Sequence, residues 1–146
     1  MSDITIHSIT EADQMEWKRL WTGYLTFYET KKPDEVYRAT FDALLKDDIT
    51  QPRGYLAFID GKACGLVHFF QHPHCWHTRP VVYLQDLFVD PDNRGQGLGR
   101  ALIEAVYAFA DSHDMASVYW LTADDNPASK LYDQLAKRTR FIKYQR

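Results

Sequence analysis

The stretch Arg94-Gly95-Gln96-Gly97-Leu98-Gly99 separates an apolar run, Val81 to Val89, from an amphipathic segment that extends from Leu98 to about His113. The run is typical of a buried strand and the segment of a helix, so the glycines lie where a strand passes into a helix. Backbone N–H groups at a helix N-terminus, aided by the helix dipole, favour an anion. This order predicts a polyphosphate site beside the Arg94 guanidinium. A flexible loop that only starts the helix tightly is the alternative.

Two common phosphate-binding motifs fit this loop less well. A P-loop needs Gly-Lys-Ser/Thr at the start of its helix, where this chain has Leu98-Gly99-Arg100. A dinucleotide fingerprint needs glycines spaced G-x-G-x-x-G, whereas here they follow G-x-G-x-G. The pattern that remains is R-x-x-G-x-G after a strand.

Composition limits the class of protein. The 146 residues, 45% hydrophobic and 25% charged, predict one globular domain over residues 1–146. No apolar run approaches the ~20 residues of a membrane span. The N-terminus lacks the features of a secretory signal, so we expect a cytoplasmic protein with no membrane partner. Cys64 and Cys75 form neither a disulfide framework nor a zinc pattern. A net charge of −3 without a basic cluster argues against nucleic acid as a partner.

Hydrophobic periodicity predicts an α/β (α+β) fold in which helices flank a mixed central sheet. Besides the helix after the glycine loop, three helices are expected: one after Thr10, one after Pro33 and one over residues 127–136. The expected strands are one at Ile4 and Ile6, a hairpin of Tyr55–Ile59 and Cys64–His72 turning at Asp60-Gly61, and strands 117–122 and 141–145.

The strand and glycine loop resemble motif A of the GNAT N-acetyltransferases, whose loop holds the pyrophosphate of acetyl-coenzyme A (acetyl-CoA). The resemblance covers about residues 3 to 146. It rests on Tyr83–Val89 as the family's central strand, Ser117–Thr122 as the next strand and Asn126–Tyr132 as motif B. The runs Trp120-Leu121-Thr122, Leu131-Tyr132-Asp133 and Phe141–Tyr144 look most like the yeast histone and polyamine acetyltransferase branch.

This resemblance implies a single-domain GNAT fold and direct transfer of acetyl from acetyl-CoA to a primary amine of a small molecule, such as a polyamine or an amino acid. A protein lysine or N-terminal acetyltransferase is one alternative. A catalytically silent coenzyme A-binding module is another, and Gln85 suggests it, because relatives often have a glutamate base on this strand. No metal is expected.

The same resemblance implies a coenzyme site. Asn126 resembles the motif B asparagine. In the family the motif B tyrosine follows that asparagine by seven residues, whereas Tyr132 follows Asn126 by six, so either the turn is shortened or Asp125 takes the N-cap. The alternative for Asn126 is a plain Asn-Pro turn. Lys130 is expected to contact the adenosine 3′-phosphate, and a solvated lysine is the alternative. The backbone N–H of Phe88 or Val89, at an expected bulge, would receive the acetyl oxygen. The predicted coenzyme-binding residues are Phe88, Val89, Arg94, Gly95, Gln96, Gly97, Leu98, Gly99, Arg100, Asn126 and Lys130.

Two residues are predicted to be catalytic. Tyr132 matches the motif B tyrosine that points at the coenzyme sulfur, so we expect it to protonate the leaving thiolate; a tyrosine that only fills the core is the alternative. Gln85 stands where relatives have the glutamate base and cannot act as one. The general base is then Asp86 or a chain of waters. The alternative for Asp86 is a purely structural role. Adjacent strand residues face opposite sides, so Gln85 and Asp86 cannot both line the acceptor pocket.

For the acceptor amine, Tyr24, Phe27, Tyr28 and Glu29 resemble the wall that receives a cationic amine in polyamine-type relatives. Of these, Tyr28 and Glu29 are the predicted contacts, and Gln85 is the third. A core role is the alternative for such an aromatic stripe. The histidines and Cys75 between His68 and His77 form a weak metal pattern, and surface histidines are the alternative. One apolar strand after the last helix would leave an unpaired edge near Phe141 to Tyr144, which predicts a homodimer or higher homo-oligomer.

Overall fold

A mixed five-stranded sheet organises the computed structural model, which describes residues 3–146. The strands lie in chain order, antiparallel to one another except for the parallel pair of the last two. The mixed α/β prediction is therefore confirmed. The elements are β1 (Ile4–Ser8), α1 (Gln14–Phe27), α2 (Asp34–Leu44), β2 (Arg53–Ile59), β3 (Lys62–His72), β4 (Val81–Val89), α3 (Leu98–Ser112), β5 (Val118–Tyr119) and α4 (Ser129–Leu135).

Each face of the sheet has its own apolar core. On one face α3 packs Leu102 and Val106, both fully buried, against alternate residues of the strands. On the other face α1 and α2 bury Trp17, Leu20 and Phe41. Because successive residues of a strand point to opposite faces, β2 and β3 each contribute to both cores. The amphipathic segment predicted after the glycine loop thus forms α3, with Leu98, Leu102, Val106 and Phe109 buried.

The local signals at the ends of elements also hold. Before the helix expected after Thr10, Thr10 and Asp13 form a capping pair, with the Thr10 backbone N–H donating to Asp13 Oδ2 over 2.8 Å. Pro33 is the residue that caps α2. In the β2–β3 turn, Asp60 and Gly61 have φ values of 51° and 79°, which suits the tight hairpin turn that the sequence predicts.

A bulge at Gln85 changes which side chains of β4 face which core. His68 of β3 pairs with Asp86, but the next residue of β3 pairs with Leu84, so Gln85 has no partner there. Val82 and Leu84 therefore face α3, whereas Asp86 and Phe88 face α1. The bulge was expected at Phe88 or Val89 and lies instead at Gln85.

β4 and β5 pair over only two residues, Val82 with Val118 and Tyr83 with Tyr119. The prediction of a strand over 117–122 was thus too long. Trp120 leaves the sheet to pack against Tyr132, with ring centroids 5.4 Å apart. Beyond Tyr83 the two strands separate, and a cleft opens between them.

The C-terminal end corrects two more predictions. α4 begins at Ser129 rather than 127, and no strand forms over 141–145. Phe141, Ile142 and Tyr144 are 81%, 74% and 90% exposed. A strand needs a neighbour to satisfy its backbone groups, and the two-residue β5 offers too short an edge.

Candidate active site

A cleft of about 790 Å³ lies where β4 separates from β5, within the size range of small-molecule sites. The last turn of α1, the first turn of α3 and α4 form its walls. Its lining residues are Tyr24, Phe27, Tyr28, Leu87, Phe88, Val89, Arg94, Gly95, Gly97, Leu98, Gly99, Arg100, Asn126, Pro127, Ala128, Leu131, Tyr132 and Gln134.

The glycine loop forms one end of this cleft. Gly95 and Gly97 have φ values of 80° and 85°, and no atom lies within 4 Å of the point where a Cβ would stand on either residue. Gly97 caps α3, whose first helical hydrogen bond runs from Ala101 N to Gly97 O. The N–H groups of the turn before Ala101 are thus available to an anion. This open cradle fits a pyrophosphate.

Two arginines add positive charge at this end. Arg94 donates from Nε to the Val89 carbonyl over 3.3 Å, and no carboxylate among residues 3–146 forms an ion pair with it. Arg100 donates to Gln134 of α4, which links the two helices beside the cleft. The predicted coenzyme contacts Gln96 and Lys130 are exposed and lie outside the lining.

Asn126 lies in the lining, but its amide takes part in its own turn. Oδ1 accepts from Ala128 N over 3.0 Å, and Nδ2 donates to Thr122 Oγ1 over 2.9 Å. Ala128 occupies the N-cap position of α4, so Asp125 does not take it. Of the alternatives that the sequence leaves open, the structure shows the Asn-Pro turn, with one amide hydrogen of Asn126 still available.

Tyr132 lies where the cleft meets a small recess beside β4. Burial, and then the proximity of Tyr28, raises the pKa of Tyr132 to about 12. The phenol is therefore protonated throughout the neutral range and can act as a proton donor. Its ring also packs on Trp120. The core role and the cleft role of Tyr132 are thus compatible.

Asp86 is buried behind the cleft rather than in its lining. Its Oδ2 accepts from Nδ1 of His68 over 2.8 Å and from the indole of Trp21 over 3.2 Å. Nε2 of His68 in turn accepts from the indole of Trp17 over 2.9 Å. Burial raises the pKa of Asp86, but the hydrogen bonds to it, first that of His68, outweigh burial and hold the pKa below its ordinary value.

The predicted acceptor contacts separate in the structure. Tyr28 lines the cleft, and Gln85 lines the recess together with Tyr28. Glu29 is exposed, has a φ of 55° and lies outside both. Tyr24, which the sequence placed in the acceptor-side wall but not among the predicted contacts, lines both cavities. Its helical spacing from Trp21 and Tyr28 was the available signal, and that spacing is equally typical of a core stripe.

The histidine pattern does not form a metal site. His68 is engaged with Asp86, and His72 shares a hydrogen bond of 2.8 Å with the Tyr119 hydroxyl. His74 and His77 are neighbours in the loop, with ring centroids 4.9 Å apart and ring planes tilted by 52°. Across the part of the chain that the structure describes, no three His, Cys, Asp or Glu side chains are grouped as a metal would need.

Comparison with known proteins agrees with this geometry. The model of the acetyltransferase (GNAT) family matches residues 16–136, which include most of α1, β4, the glycine loop and α4. The chain belongs to the GNAT acetyltransferase family. Membership confirms the acyltransferase class expected from the sequence.

One relative in sequence and two proteins of similar structure were compared with the chain. The D-amino-acid N-acetyltransferase of Saccharomyces cerevisiae is 38% identical over 146 residues, covering 98% of this chain and 90% of the yeast protein. The ribosomal-protein-alanine N-acetyltransferase from Brucella melitensis biovar Abortus 2308 superposes with a TM-score of 0.82 at 23% identity, covering 98% of this chain and 97% of the other. The aminoglycoside N-acetyltransferase AAC(6')-Iy, in complex with a bisubstrate analogue of coenzyme A, superposes with a TM-score of 0.82 at 22% identity over 99% of both chains.

The two structural likenesses establish a shared GNAT fold. Within residues 3–146, no helix is both long and apolar enough to cross a membrane.

Proposed function

We propose that this GNAT protein transfers the acetyl group of acetyl-CoA directly to the primary amine of a small molecule. The observation that carries the proposal is a single cleft with an anion cradle at the glycine loop and the protonated phenol of Tyr132 further along. A donor with a pyrophosphate at one end and a thioester at the other suits that arrangement.

At the phosphate end, the backbone N–H groups of the first turn of α3 bind the pyrophosphate, and Arg94 adds a charge-assisted contact. The arginine is suited to this because it has no carboxylate partner within residues 3–146. Gly97 serves here because a side chain at a φ of 85° would be strained and would fill the cradle.

At the thioester end, the separation of β4 from β5 supports a site for the acetyl oxygen. Alternate N–H groups of a strand point to alternate sides, so one of Phe88 and Val89 directs its N–H away from β3. Beyond Tyr83 no pairing with β5 occupies that side. This N–H stabilises the charge that develops on the acetyl oxygen.

Tyr132 stabilises the leaving thiolate by donating a hydrogen bond to it. A thiol has a pKa near ~8.5, well below that of this phenol, so the tyrosine acts by a hydrogen bond that shares its proton as the C–S bond breaks. Gln85 has no basic group, and Asp86 does not reach the cleft. Water in the open cleft therefore takes the proton that the amine loses.

A small amine as acceptor is supported by the aromatic lining near Tyr24 and Tyr28 and by the similarity to the yeast D-amino-acid enzyme. Amino acids and polyamines are the acceptors to test first. The Brucella relative, named for a ribosomal-protein alanine, keeps a protein N-terminus as the second candidate.

The test is acceptor-dependent release of coenzyme A thiol from acetyl-CoA with a panel of D- and L-amino acids, diamines and N-terminal peptides. We expect release with at least one small amine and formation of its N-acetyl product. Release with peptides alone would assign the protein-directed activity. Coenzyme A binding without release for any acceptor would identify a silent binding module and overturn the proposal.

Two further proposals accompany this function. The exposed side chains of Phe141, Ile142 and Tyr144 support a homo-oligomer that covers them, although not through the strand that was expected. A cytoplasmic location suits a donor such as acetyl-CoA and is proposed on that ground.

A further inference from the structure

Tyr107 of α3 makes a hydrogen bond to the C-terminal end of α4. Its hydroxyl donates to the carbonyl oxygen of Leu135, the last residue of α4, over 2.9 Å. The last carbonyl groups of a helix have no partner within the helix, so each needs a donor from elsewhere. Tyr107 is half-buried and packs against the core between α3 and the sheet, which fixes the position of this donor. Burial also raises the pKa of Tyr107, so its hydroxyl keeps the proton that it donates.

α4 depends on such contacts for its position. It has seven residues, none of them fully buried, and its N-cap residue, Ala128, has no side-chain group that could accept a hydrogen bond. A helix this short is not stable alone in water, so neighbouring elements must hold it in place. Tyr132 lies on this helix, and its orientation in the cleft is therefore set by whatever holds α4.

Two further contacts join α4 to the first turn of α3. A Cβ on Gly99 would stand 3.2 Å from Cδ2 of Leu131, so the two helices approach closely there. Arg100 donates to the side-chain oxygen of Gln134. Tyr107 lies about two turns further along α3 than Arg100. The end of α4 is thus held from two separated points of α3, and Tyr107 provides the second.

The anchored end of α4 carries Tyr132. Tyr132 precedes Leu135 by three residues, which is about one helical turn, and its carbonyl accepts from the N–H of Ala136 over 2.9 Å. The ring of Trp120 lies between the two tyrosines, with its centroid 5.4 Å from that of Tyr132 and 6.4 Å from that of Tyr107. Ring packing and the hydrogen bond to Leu135 therefore act on the same turn.

We propose that Tyr107 is a positioning residue, which fixes the last turn of α4 and thereby aims the hydroxyl of Tyr132 at the thioester sulfur. This inference rests on the proposed function, since it names how the hydrogen-bond donor of that reaction is held. A hydrogen bond weakens steeply away from its best geometry, and a displacement of about 1 Å near the reacting atoms can slow a reaction about 10²-fold. A loosened last turn should therefore slow the transfer.

The first test is a double-mutant cycle in kcat with acetyl-CoA and the best amine. Tyr107→Phe removes one oxygen atom and keeps the ring beside Trp120. It should lower kcat about 5- to 30-fold in the wild type but less than about twofold in the Tyr132→Phe background, because the position of a missing hydroxyl no longer matters. The KM of acetyl-CoA should change less than about threefold, because the glycine loop is unaltered. Equal losses of kcat in both backgrounds would show a merely structural effect and overturn the inference.

Hydrogen exchange provides a readout that does not depend on turnover. The amides of Tyr132 and Ala136 donate to carbonyls of the α4 turns over 3.1 and 2.9 Å. In Tyr107→Phe these amides should exchange about 3- to 10-fold faster, the factor expected for the loss of one hydrogen bond. The amides of α3 should keep their rates. Unchanged exchange in α4 would overturn the inference.

Tyr55→Phe is the matched control. Tyr55 is half-buried, packs against the same core with its ring beside Phe69, and lies outside the cleft. Its substitution removes the same hydroxyl group and should change neither kcat nor exchange in α4. Thermal melts of each variant verify folding.

Failure of the proposed function gives a different result. A Tyr132→Phe variant that turns over at the wild-type rate removes the proposed donor, and with it the role of Tyr107 in aiming that donor, even where α4 exchanges faster. A slow Tyr132→Phe variant together with a Tyr107→Phe variant of wild-type rate retains the proposed function and overturns this inference alone.

Discussion

Gly23 of α1 lies directly over the ring of Phe88 in β4, so close that a Cβ on the glycine would stand 2.7 Å from Cζ of Phe88 and 2.8 Å from Cε2. Phe88 is itself only 8% exposed, so its ring has little room to withdraw. This contact brings the end of α1, with Tyr24, against the cleft.

Gly23→Ala is therefore expected to destabilise the protein despite the better helix propensity of alanine. Propensity favours the change by about 1 kcal/mol, and overpacking opposes it by about 1–3 kcal/mol. Urea unfolding should show a net loss. Adding Phe88→Leu, which makes room, should recover part of it; a single variant as stable as the wild type would contradict the contact.

The phosphate cradle is tested by Gly97→Asp, which introduces a carboxylate and a Cβ where the pyrophosphate is proposed to lie. The free energy of coenzyme A binding, measured by calorimetry, should become less favourable by about 3 kcal/mol. Gly61→Asp is a matched control, because Gly61 has a similar φ of 79° and open space around it but lies in the β2–β3 turn. Both substitutions strain the backbone alike, so equal affinities in the two variants would exclude the cradle.

Tyr132→Phe keeps the ring that packs on Trp120 and removes the proton. We expect kcat to fall roughly 10²- to 10⁴-fold while coenzyme binding and thermal stability persist. Because the pKa of Tyr132 is raised to about 12, the phenol is protonated below that value, and its donation should not produce a fall in rate below about pH 11. Rates within about threefold of the wild type would remove Tyr132 from the mechanism.

Asp86 should affect stability in a direction fixed by its pKa. A carboxyl whose folded pKa lies below its unfolded value stabilises the fold above about pH 4, and that contribution is lost as the pH falls through the folded pKa. Asp86→Asn should thus be less stable than the wild type at pH 7, with a gap that narrows toward pH 3 in urea unfolding. The exposed Asp42→Asn should show no such gap.

The C-terminal apolar side chains provide the test of assembly. Replacing Phe141, Ile142 and Tyr144 by serine should convert an oligomer to a monomer in sedimentation velocity. The thermal midpoint of the monomer should not change, because these side chains are exposed within the chain. A wild type that sediments as a monomer at high micromolar concentration would contradict the oligomer.

Local signals predicted most of the elements correctly. The β2–β3 turn, the start of α2 after Pro33 and the passage from β4 through the glycine loop into α3 depend on residues adjacent in sequence. The two strand errors after α3 have a different origin. Val118–Tyr119 and the segment 141–145 both carry apolar alternation, yet a strand persists only as far as a neighbour pairs with it.

In the candidate site, too, some features follow from residues adjacent in sequence and others from the pairing of strands. The sequence by itself determined the glycine loop at which we propose that an anion binds and the family to which the chain belongs, because glycine, arginine and helix start are consecutive. Only the tertiary structure decided that Asp86 faces α1, that Tyr24 lines the cleft, and that Glu29 lies outside the cleft. The bulge at Gln85 reverses the alternation of β4, and it arises from pairing with a strand whose matching residues are 15 to 18 positions away, as Phe69 is from Leu84 and His68 is from Asp86. A side chain's surroundings depend on that register, which no short stretch of sequence contains.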